Sequence, residues 1–197
     1  PVAVRAALQP DTRCLWVETP SNPLLKLSSV AAIAAIARDA GATLVVDATF
    51  ATPLLLQPLK FGADVVMHST TKYLAGHSDV TGGALIFARN DALAAAVLET
   101  RKLLGAIANP FACWLVLRGL RSLAARLDWH QRNASVVAEY LSTHARVTVV
   151  HYPGLASHPQ HAVRQAEMRG PGGMLSFEVA GGRDAAIAVA ARLKLFT

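Results

Sequence analysis

Short runs of consecutive apolar residues alternate, in the first half of this chain, with a longer segment of helical periodicity. The runs at residues 14–18 and 43–46 have the length and composition of strands that are buried on both faces. Between them, apolar residues recur at helical spacing over residues 30–40, and Ser28 or Ser29 can cap the start of this helix. A strand, a helix and a second strand in this order predict an α/β fold with a mostly parallel sheet covered by helices.

The same alternation predicts the remaining elements. Two further strands are expected at residues 64–67, which lead into His68–Lys72, and at residues 84–87. The helices expected after them cover residues 91–104, 109 to about 127, about 133–144 and 183–193, and the last two strands cover 147–150 and 175–179. Because the pattern changes around residues 128–133, we expect a large domain at 1–129 and a smaller, incomplete α+β domain at 130–197.

Composition narrows the class of protein. Hydrophobic residues make up 53% of the chain and charged residues 16%, so a sizeable core is expected and disorder is not. The net charge is +6, but Arg118, Arg121 and Arg126 recur among apolar residues at near-helical spacing, which favours a solvated helix face over a nucleic-acid surface. No apolar run is long enough for a membrane span and no signal peptide is visible, so we expect neither nucleic acid nor a membrane as a partner.

The two cysteines, Cys14 and Cys113, lie far apart in apolar runs. They are expected to be buried free thiols, as in proteins of a reducing compartment, and a cytoplasmic location is predicted. His158 and His161 lack a third ligand at metal-binding spacing, so no metal site is expected. The chain starts at Pro1 and stops after an apolar pair, and we expect both ends to be cut from a longer sequence.

Polar residues stand at the carboxyl ends of three predicted strands. Asn22 follows the first strand, Asp47 ends the second, and Ser69, Thr71 and Lys72 follow the third. Ligands of open α/β sheets bind in the crevice outside the carboxyl ends of the strands. The sequence therefore predicts a site at which an amide, a carboxylate, two hydroxyls and an amine converge.

These groups fit the chemistry of pyridoxal 5'-phosphate. The cofactor's aldehyde needs a lysine amine, its pyridine nitrogen needs a carboxylate to stay protonated, and its phosphate needs hydrogen-bond donors. Lys72, Asp47, Ser69 and Thr71 are the candidates for these roles. Taken singly, each residue has a commoner structural interpretation, such as a solvated lysine, a helix cap or a turn residue. Their conjunction at neighbouring strand ends favours the cofactor site.

Two long motifs carry a family resemblance: VDATFATP at residues 46–53 and HSTTKYLAGHSD at residues 68–79. Four shorter motifs flank them in the order in which the family has its further blocks: ETPSNP at 18–23, LRGL at 117–120, YPGLASHP at 152–159 and GGMLSF at 172–177. Together they resemble the Cys/Met-metabolism family of pyridoxal-phosphate enzymes. The resemblance covers nearly the whole chain, and Ala48, where members often carry Asn, is a departure that bears on substrate choice rather than on cofactor binding.

The resemblance implies a fold and a set of roles. The fold is the aspartate aminotransferase-like type I fold of pyridoxal-phosphate-dependent transferases. Lys72 would form the Schiff base, Asp47 would pair with the pyridine nitrogen, Ser69 and Thr71 would bind the phosphate, and Asn22 would lie near the phenolic oxygen and the substrate carboxylate. A phosphate loop, a stacking Tyr and a carboxylate-binding Arg are expected outside this chain, and the assembly is expected to be a homotetramer built as a dimer of dimers.

The resemblance also implies a lyase or transferase of sulfur amino-acid metabolism, in transsulfuration or methionine biosynthesis. A cystathionine γ-synthase or γ-lyase type is favoured, acting on cystathionine or an activated homoserine. Cystathionine β-lyase, homoserine-ester sulfhydrylase and methionine γ-lyase are the alternatives within the family. Outside enzymology, the alternative is a catalytically incomplete fragment that contributes only to assembly. A nucleotide-binding module is disfavoured because no G-x-G-x-x-G or phosphate-loop motif follows a predicted strand.

Overall fold

The computed structural model describes residues 1–195 of the chain. The helices in this range are α1 (Val2–Ala7), α2 (Val30–Asp39), α3 (Thr52–Leu55), α4 (Ala92–Leu103), α5 (Pro110–Ser142), α6 (His161–Glu167) and α7 (Gly182–Ala190). The strands are β1 (Cys14–Glu18), β2 (Thr43–Asp47), β3 (Val65–Ser69), β4 (Gly83–Phe87), β5 (Val147–His151) and β6 (Ser176–Val179). A 3-10 turn lies at Pro58–Phe61, and a wider π-type turn, Thr70–Leu74, follows β3 directly.

A four-stranded sheet forms the centre of the first half of the chain, in the order β1-β2-β3-β4. The first three strands are parallel, and β4 runs antiparallel to β3. Glu18 pairs with Asp47, which in turn pairs with Met67, so β1, β2 and β3 end at the same edge of the sheet. The α/β class and the mostly parallel sheet predicted from the sequence are confirmed.

Helix α2 packs on one face of this sheet because its apolar residues lie on one side. Ser29 caps the helix: its Oγ accepts a hydrogen bond from the backbone N–H of Ala32 at 3.2 Å. The core between helix and sheet includes Val30, Ile33, Ala37, Leu44, Val46 and Val66. Burying each of the larger aliphatic side chains among these contributes about 1.5–3 kcal/mol.

The outer strands leave apolar side chains exposed. Trp16 of β1 is 60% exposed, and Leu85 and Ile86 of β4 are exposed as well. Cys14 and Cys113 are also exposed, so the expectation of two buried thiols is wrong for the part of the chain that the structure describes. An apolar run indicates that its side chains favour burial, but it does not indicate which segment packs against them. These side chains can therefore be exposed within the described residues.

Helix α5 is a single continuous helix of 33 residues. The sequence predicted that one helix ends near Leu127 and another begins near Asn133, and this break is wrong. The polar stretch between them contains no Gly or Pro, and Arg132 reaches back to Asp128 at 2.8 Å, a spacing that supports a helix. The division into domains at 1–129 and 130–197 stays a prediction, with α5 running across its boundary.

Among the residues described, no helix combines the length and apolar character that a bilayer crossing requires.

The second half of the chain forms a smaller unit that is tied to the first. Strands β5 and β6 are antiparallel, and Ala134, Ala138 and Tyr152 are buried beside them. The carboxylate of Glu167, at the end of α6, accepts hydrogen bonds from Ser29 Oγ at 2.5 Å and from the N–H of Val30 at 2.7 Å. A carboxylate at a helix N-terminus is favourable because the first N–H groups of a helix have no partner within it.

Candidate functional site

The candidate site lies at the sheet edge where β2 and β3 end. Asp47 is the last residue of β2, and it pairs in register with Met67 of β3. Ser69 is two residues beyond Met67, and successive strand residues point to opposite faces, so Asp47 and Ser69 lie on the same face of the sheet. Lys72 follows three residues later in the turn after β3. The structure therefore brings four of the five predicted site residues, Asp47, Ser69, Thr71 and Lys72, to one edge.

Thr49 connects the carboxylate to the turn, and the sequence analysis missed this residue. Its backbone N–H and its hydroxyl both donate to Asp47 Oδ1, at 2.9 and 2.6 Å. Its Oγ1 also accepts a hydrogen bond from the backbone N–H of Ser69 at 2.8 Å. The Asp-x-Thr spacing is the signal that was available, because an Asp side chain commonly accepts the backbone N–H two residues later. Within residues 1–195, Asp47 Oδ2 has no hydrogen bond, so this oxygen is free for a ligand.

The turn that carries Lys72 is irregular and open to solvent. Lys72 has φ −88° and ψ −126°, which are not helical values, and its side chain is exposed. The turn is closed by two backbone hydrogen bonds, from Ala75 to Thr70 at 3.0 Å and from Gly76 to Lys72 at 2.8 Å. The chain thus leaves the strand ladder immediately before Lys72 and presents its amine at the sheet edge.

The two predicted phosphate ligands differ in their surroundings. Ser69 is half-buried, and its hydroxyl makes no hydrogen bond within the described residues, so it is available as a donor. The hydroxyl of Thr71 accepts from the N–H of Gly82 at 3.0 Å and donates to the Gly82 carbonyl at 3.3 Å. To donate to a phosphate, Thr71 must give up the longer of these two bonds.

Asn22 lies on an exposed loop after β1, and nothing in residues 1–195 hydrogen-bonds its side chain to the other four predicted site residues. The loop itself is held by the second half of the chain. Ser176 Oγ donates to the Pro23 carbonyl at 2.6 Å, and His158 Nε2 donates to the Leu25 carbonyl at 3.2 Å. We therefore expect the position of Asn22 to depend on the packing of the second half of the chain.

His158 is buried and held in one neutral form. Its Nδ1 accepts the backbone N–H of Gln160 at 3.2 Å, so the ring proton is on Nε2, where it is donated to Leu25. Burial lowers the pKa of His158; the Leu25 carbonyl opposes this effect, and the neighbouring His151 and His161 lower the pKa further. The Nδ1 of His161 donates a hydrogen bond to the Leu155 carbonyl at 3.0 Å.

We expect the neutral form of His158 to make the protein less stable in mild acid. Because the folded-state pKa lies below the unfolded-state value near 6.5, the stabilisation is complete above pH 6.5 and is lost as the pH falls. His158→Gln should flatten the dependence of Tm on pH between about pH 7.5 and 5.5. The exposed His144, changed to Gln, is the matched control. A slope in the His158 variant as steep as in the unaltered protein would contradict this assignment.

Two ionisable residues beside the site are unsuited to proton transfer near neutral pH. His68 is 4% exposed and lies on the face of β3 opposite Ser69. Burial lowers its pKa, although Asp47 and the Ala48 backbone oppose this, so the ring is neutral near pH 7. Burial raises the pKa of Tyr73 to about 12, and its ring packs edge-on against His130 at 5.6 Å between centroids. Neither group competes with the amine of Lys72 as a base.

An open cavity of about 510 Å³ lies beside the turn. It is lined by Thr71, Lys72, Ser78, Asp79, Val80 and Thr81. The donor set at this edge fits a ligand with an aldehyde, a ring nitrogen and a phosphate: it offers an exposed amine, a carboxylate oxygen without a partner and a serine hydroxyl without a partner. Within residues 1–195, no group of three potential metal-binding side chains is found.

Comparison with known proteins agrees with this chemistry. A family model described as Cys/Met metabolism PLP-dependent enzyme matches residues 1–197. A probable cystathionine γ-synthase of Herpetosiphon aurantiacus is 50% identical over 195 residues, which are 99% of this chain and 61% of that protein. A cystathionine β-lyase of Coxiella burnetii is 46% identical over 194 residues, which are 98% of this chain and 50% of that protein.

A solved structure gives the same result at the level of the fold. The cystathionine γ-synthase of Xanthomonas oryzae pv. oryzae in complex with cystathionine superposes with a TM-score of 0.90 at 46% identity. The match covers 94% of this chain and 48% of that structure. This chain therefore spans about half of the length of the proteins it matches.

Proposed function

Because this chain belongs to the Cys/Met-metabolism family of pyridoxal-phosphate-dependent enzymes, we propose that the whole protein is an enzyme that breaks or forms C–S or C–O bonds of amino acids. The cofactor of this family is pyridoxal 5'-phosphate, and Lys72 is the residue that would hold it covalently. The observation that carries the proposal is the exposed Lys72 in the turn after β3, at the same sheet edge as an Asp47 carboxylate that is oriented by Thr49.

Each site residue has a role that its surroundings support. When bound, the cofactor supplies a protonated ring that accepts electrons from the substrate. Asp47, through its free Oδ2, would hold the proton on the ring nitrogen, and Ser69 and Thr71 would bind the phosphate. Lys72 Nζ would take the proton from the substrate Cα, since it is the basic group at this edge. Asn22, on the loop that Ser176 and His158 hold by hydrogen bonds, would contact the substrate carboxylate.

The substrate class within the family is proposed from the resemblance and supported by the relatives. We favour γ-replacement or γ-elimination on an activated homoserine or on cystathionine. β-Elimination, ester sulfhydrylation and methionine γ-elimination remain as alternatives, since relatives of 46–50% identity include both a γ-synthase and a β-lyase. A cytoplasmic location and a homotetramer stay predictions.

Exposed apolar surface supports an assembly or further packing around this chain. The stacked rings of Phe111 and Trp114, with centroids 5.9 Å apart, are exposed at the start of α5. Leu103, Leu104 and Ile107, which precede them, are also exposed. Several large apolar side chains exposed within residues 103–114 are typical of a surface that packs against other polypeptide.

Product analysis of the cofactor-loaded whole protein tests the proposed reaction. With cystathionine, γ-elimination yields cysteine, 2-oxobutanoate and ammonia, whereas β-elimination yields homocysteine, pyruvate and ammonia. With O-succinylhomoserine and cysteine, γ-replacement yields cystathionine and succinate. We expect one of the γ-reactions. A protein that takes up the cofactor and turns over none of these substrates, nor methionine, nor a homoserine ester with sulfide, would instead support the non-catalytic alternative.

Thr49 gives a more local prediction. Thr49→Val keeps the side-chain volume but removes the hydroxyl that donates to Asp47 and accepts from Ser69. We expect kcat/KM to fall roughly tenfold, which is about 1.4 kcal/mol, because a hydrogen bond to a charged group is lost. Thr49→Ser retains the hydroxyl and is the matched control. Equal rates for the valine and serine variants would remove Thr49 from this role.

A further inference from the structure

Helix α5 touches the turn of Lys72 at a point where only glycine fits. A Cβ placed on Gly119 would overlap the carbonyl oxygen of Ala75, three residues after Lys72. The overlapping group is backbone, which cannot move aside as a flexible side chain can. The close approach therefore fixes the separation between helix and turn.

Arg126, two helical turns after Gly119, fastens the two elements together. Its Nη2 donates to the carbonyl of Tyr73 at 2.9 Å and to the carbonyl of Gly119 at 2.9 Å. Its Nε donates to Ser122 Oγ at 3.0 Å, which orients the guanidinium. The guanidinium has room because Gly76, the adjacent residue after the turn, has no side chain. A Cβ at Gly76, whose φ is +74°, would overlap the guanidinium of Arg126.

The guanidinium binds backbone carbonyls rather than a carboxylate. No ion pair of Arg126 is found within residues 1–195, and burial lowers its pKa. Arg118 and Arg121 are exposed, as expected for a solvated helix face, but the same expectation is wrong for Arg126, which is partly buried. Three hydrogen bonds offset part of the cost of placing a charged group here, one of them to the residue directly after Lys72, while Nη1 is buried without a partner among the described residues.

We propose that Arg126 is a positioning residue that holds the backbone of the Lys72 turn, so that the lysine amine is presented to the cofactor in one place. The turn is not helical at Lys72, and the bond from Arg126 to the Tyr73 carbonyl holds its backbone from outside, at the residue after the break in helical geometry. The proposal rests on the proposed role of Lys72 as the cofactor lysine.

The test compares the cofactor-loaded whole protein with three variants of it. Arg126→Met removes all three hydrogen bonds, Arg126→Lys keeps the charge but not the fork of donors, and Arg132→Met changes an exposed arginine of the same helix. Three quantities are measured: Tm, the pH midpoint of the visible absorbance of the bound cofactor, and kcat and KM per loaded site.

For Arg126→Met we expect kcat per loaded site to fall about 10- to 100-fold, as for a small misplacement of a reacting group, with KM changed less than about threefold. The pH midpoint of the absorbance should move by about half a unit or more, because the position of the Lys72 nitrogen relative to the cofactor ring changes. In Arg126→Lys, the fall in kcat and the shift of the pH midpoint should both be smaller than in Arg126→Met. Arg132→Met should match the unaltered protein.

A lower Tm with an unchanged pH midpoint and an unchanged kcat per loaded site would show a purely structural role and overturn the proposal. If Arg126→Met fails to fold, Arg126→Lys and Ser122→Ala decide in the same way: unchanged values in both overturn it. Borohydride trapping in the unaltered protein separates the two hypotheses. No tag at Lys72 there defeats the proposed function, whereas a tag at Lys72 without any shift in the variants defeats only the role of Arg126.

Discussion

Replacing Lys72 with Ala in the whole protein should abolish covalent capture of pyridoxal phosphate and reduce turnover at least about 10³-fold. The expected effect is large because one amine is assigned two tasks, as the covalent anchor of the cofactor and as the base for the substrate Cα proton. Borohydride reduction followed by peptide mapping should find the cofactor tag at position 72 of the unaltered protein and nowhere in the variant, which should also lack the visible absorbance band.

Lys60 provides the matched control for this experiment. It is an exposed lysine in the 3-10 turn at Pro58–Phe61, outside the sheet edge that carries the site. Lys60→Ala should keep the absorbance band, the tag at position 72 and the turnover. A tag that maps to a lysine other than Lys72, or a band that survives in Lys72→Ala, would disprove the assignment of the cofactor lysine.

Asp47→Asn should reduce turnover by two or more orders of magnitude while the protein stays folded. The amide oxygen can still accept the two hydrogen bonds from Thr49, so the local packing is kept and only the negative charge is lost. Without that charge the ring nitrogen is not held protonated, and the electron-accepting role of the ring weakens; a loss of about 3 kcal/mol corresponds to this rate effect.

The control for Asp47 is Asp39→Asn, at the exposed end of α2, where the carboxylate forms a solvent-exposed ion pair with Arg5. Both variants should have a Tm close to that of the unaltered protein, and only Asp47→Asn should lose turnover. An Asp47→Asn protein that turns over substrate at the unaltered rate would show that the ring nitrogen has a different partner.

The part of the site that the sequence could predict is the part that depends on neighbouring residues along the chain. Each apolar run of β2 and β3 ends in the polar group that matters, Asp47 or Ser69, so the rule that ligands bind at the carboxyl ends of parallel strands places both at one edge. Lys72 follows Ser69 so closely that it has to lie at the same edge.

The part that the sequence could not predict depends on partners that are distant along the chain. Arg126 and Tyr73 are 53 positions apart, and Ser69 and Thr49 are 20 apart, so no local pattern joins them. Arg126 recurs with its exposed neighbours Arg118 and Arg121 at near-helical spacing, and only the close approach allowed by Gly119 distinguishes it. The continuity of α5 was missed for a related reason, because a polar stretch without Gly or Pro changes the surface of a helix without ending it.

The loop that carries Asn22 has a consequence for the order of events during synthesis. Its hydrogen-bond partners, His158 and Ser176, stand 133 and 153 positions further along the chain. At translation rates of roughly 5–20 residues per second, the ribosome needs about seven to thirty seconds to supply them after the loop has been made. A nascent chain can therefore complete β2, β3 and the turn that carries Lys72 well before the Asn22 loop has its partners, so the lysine is in place before that loop is fixed.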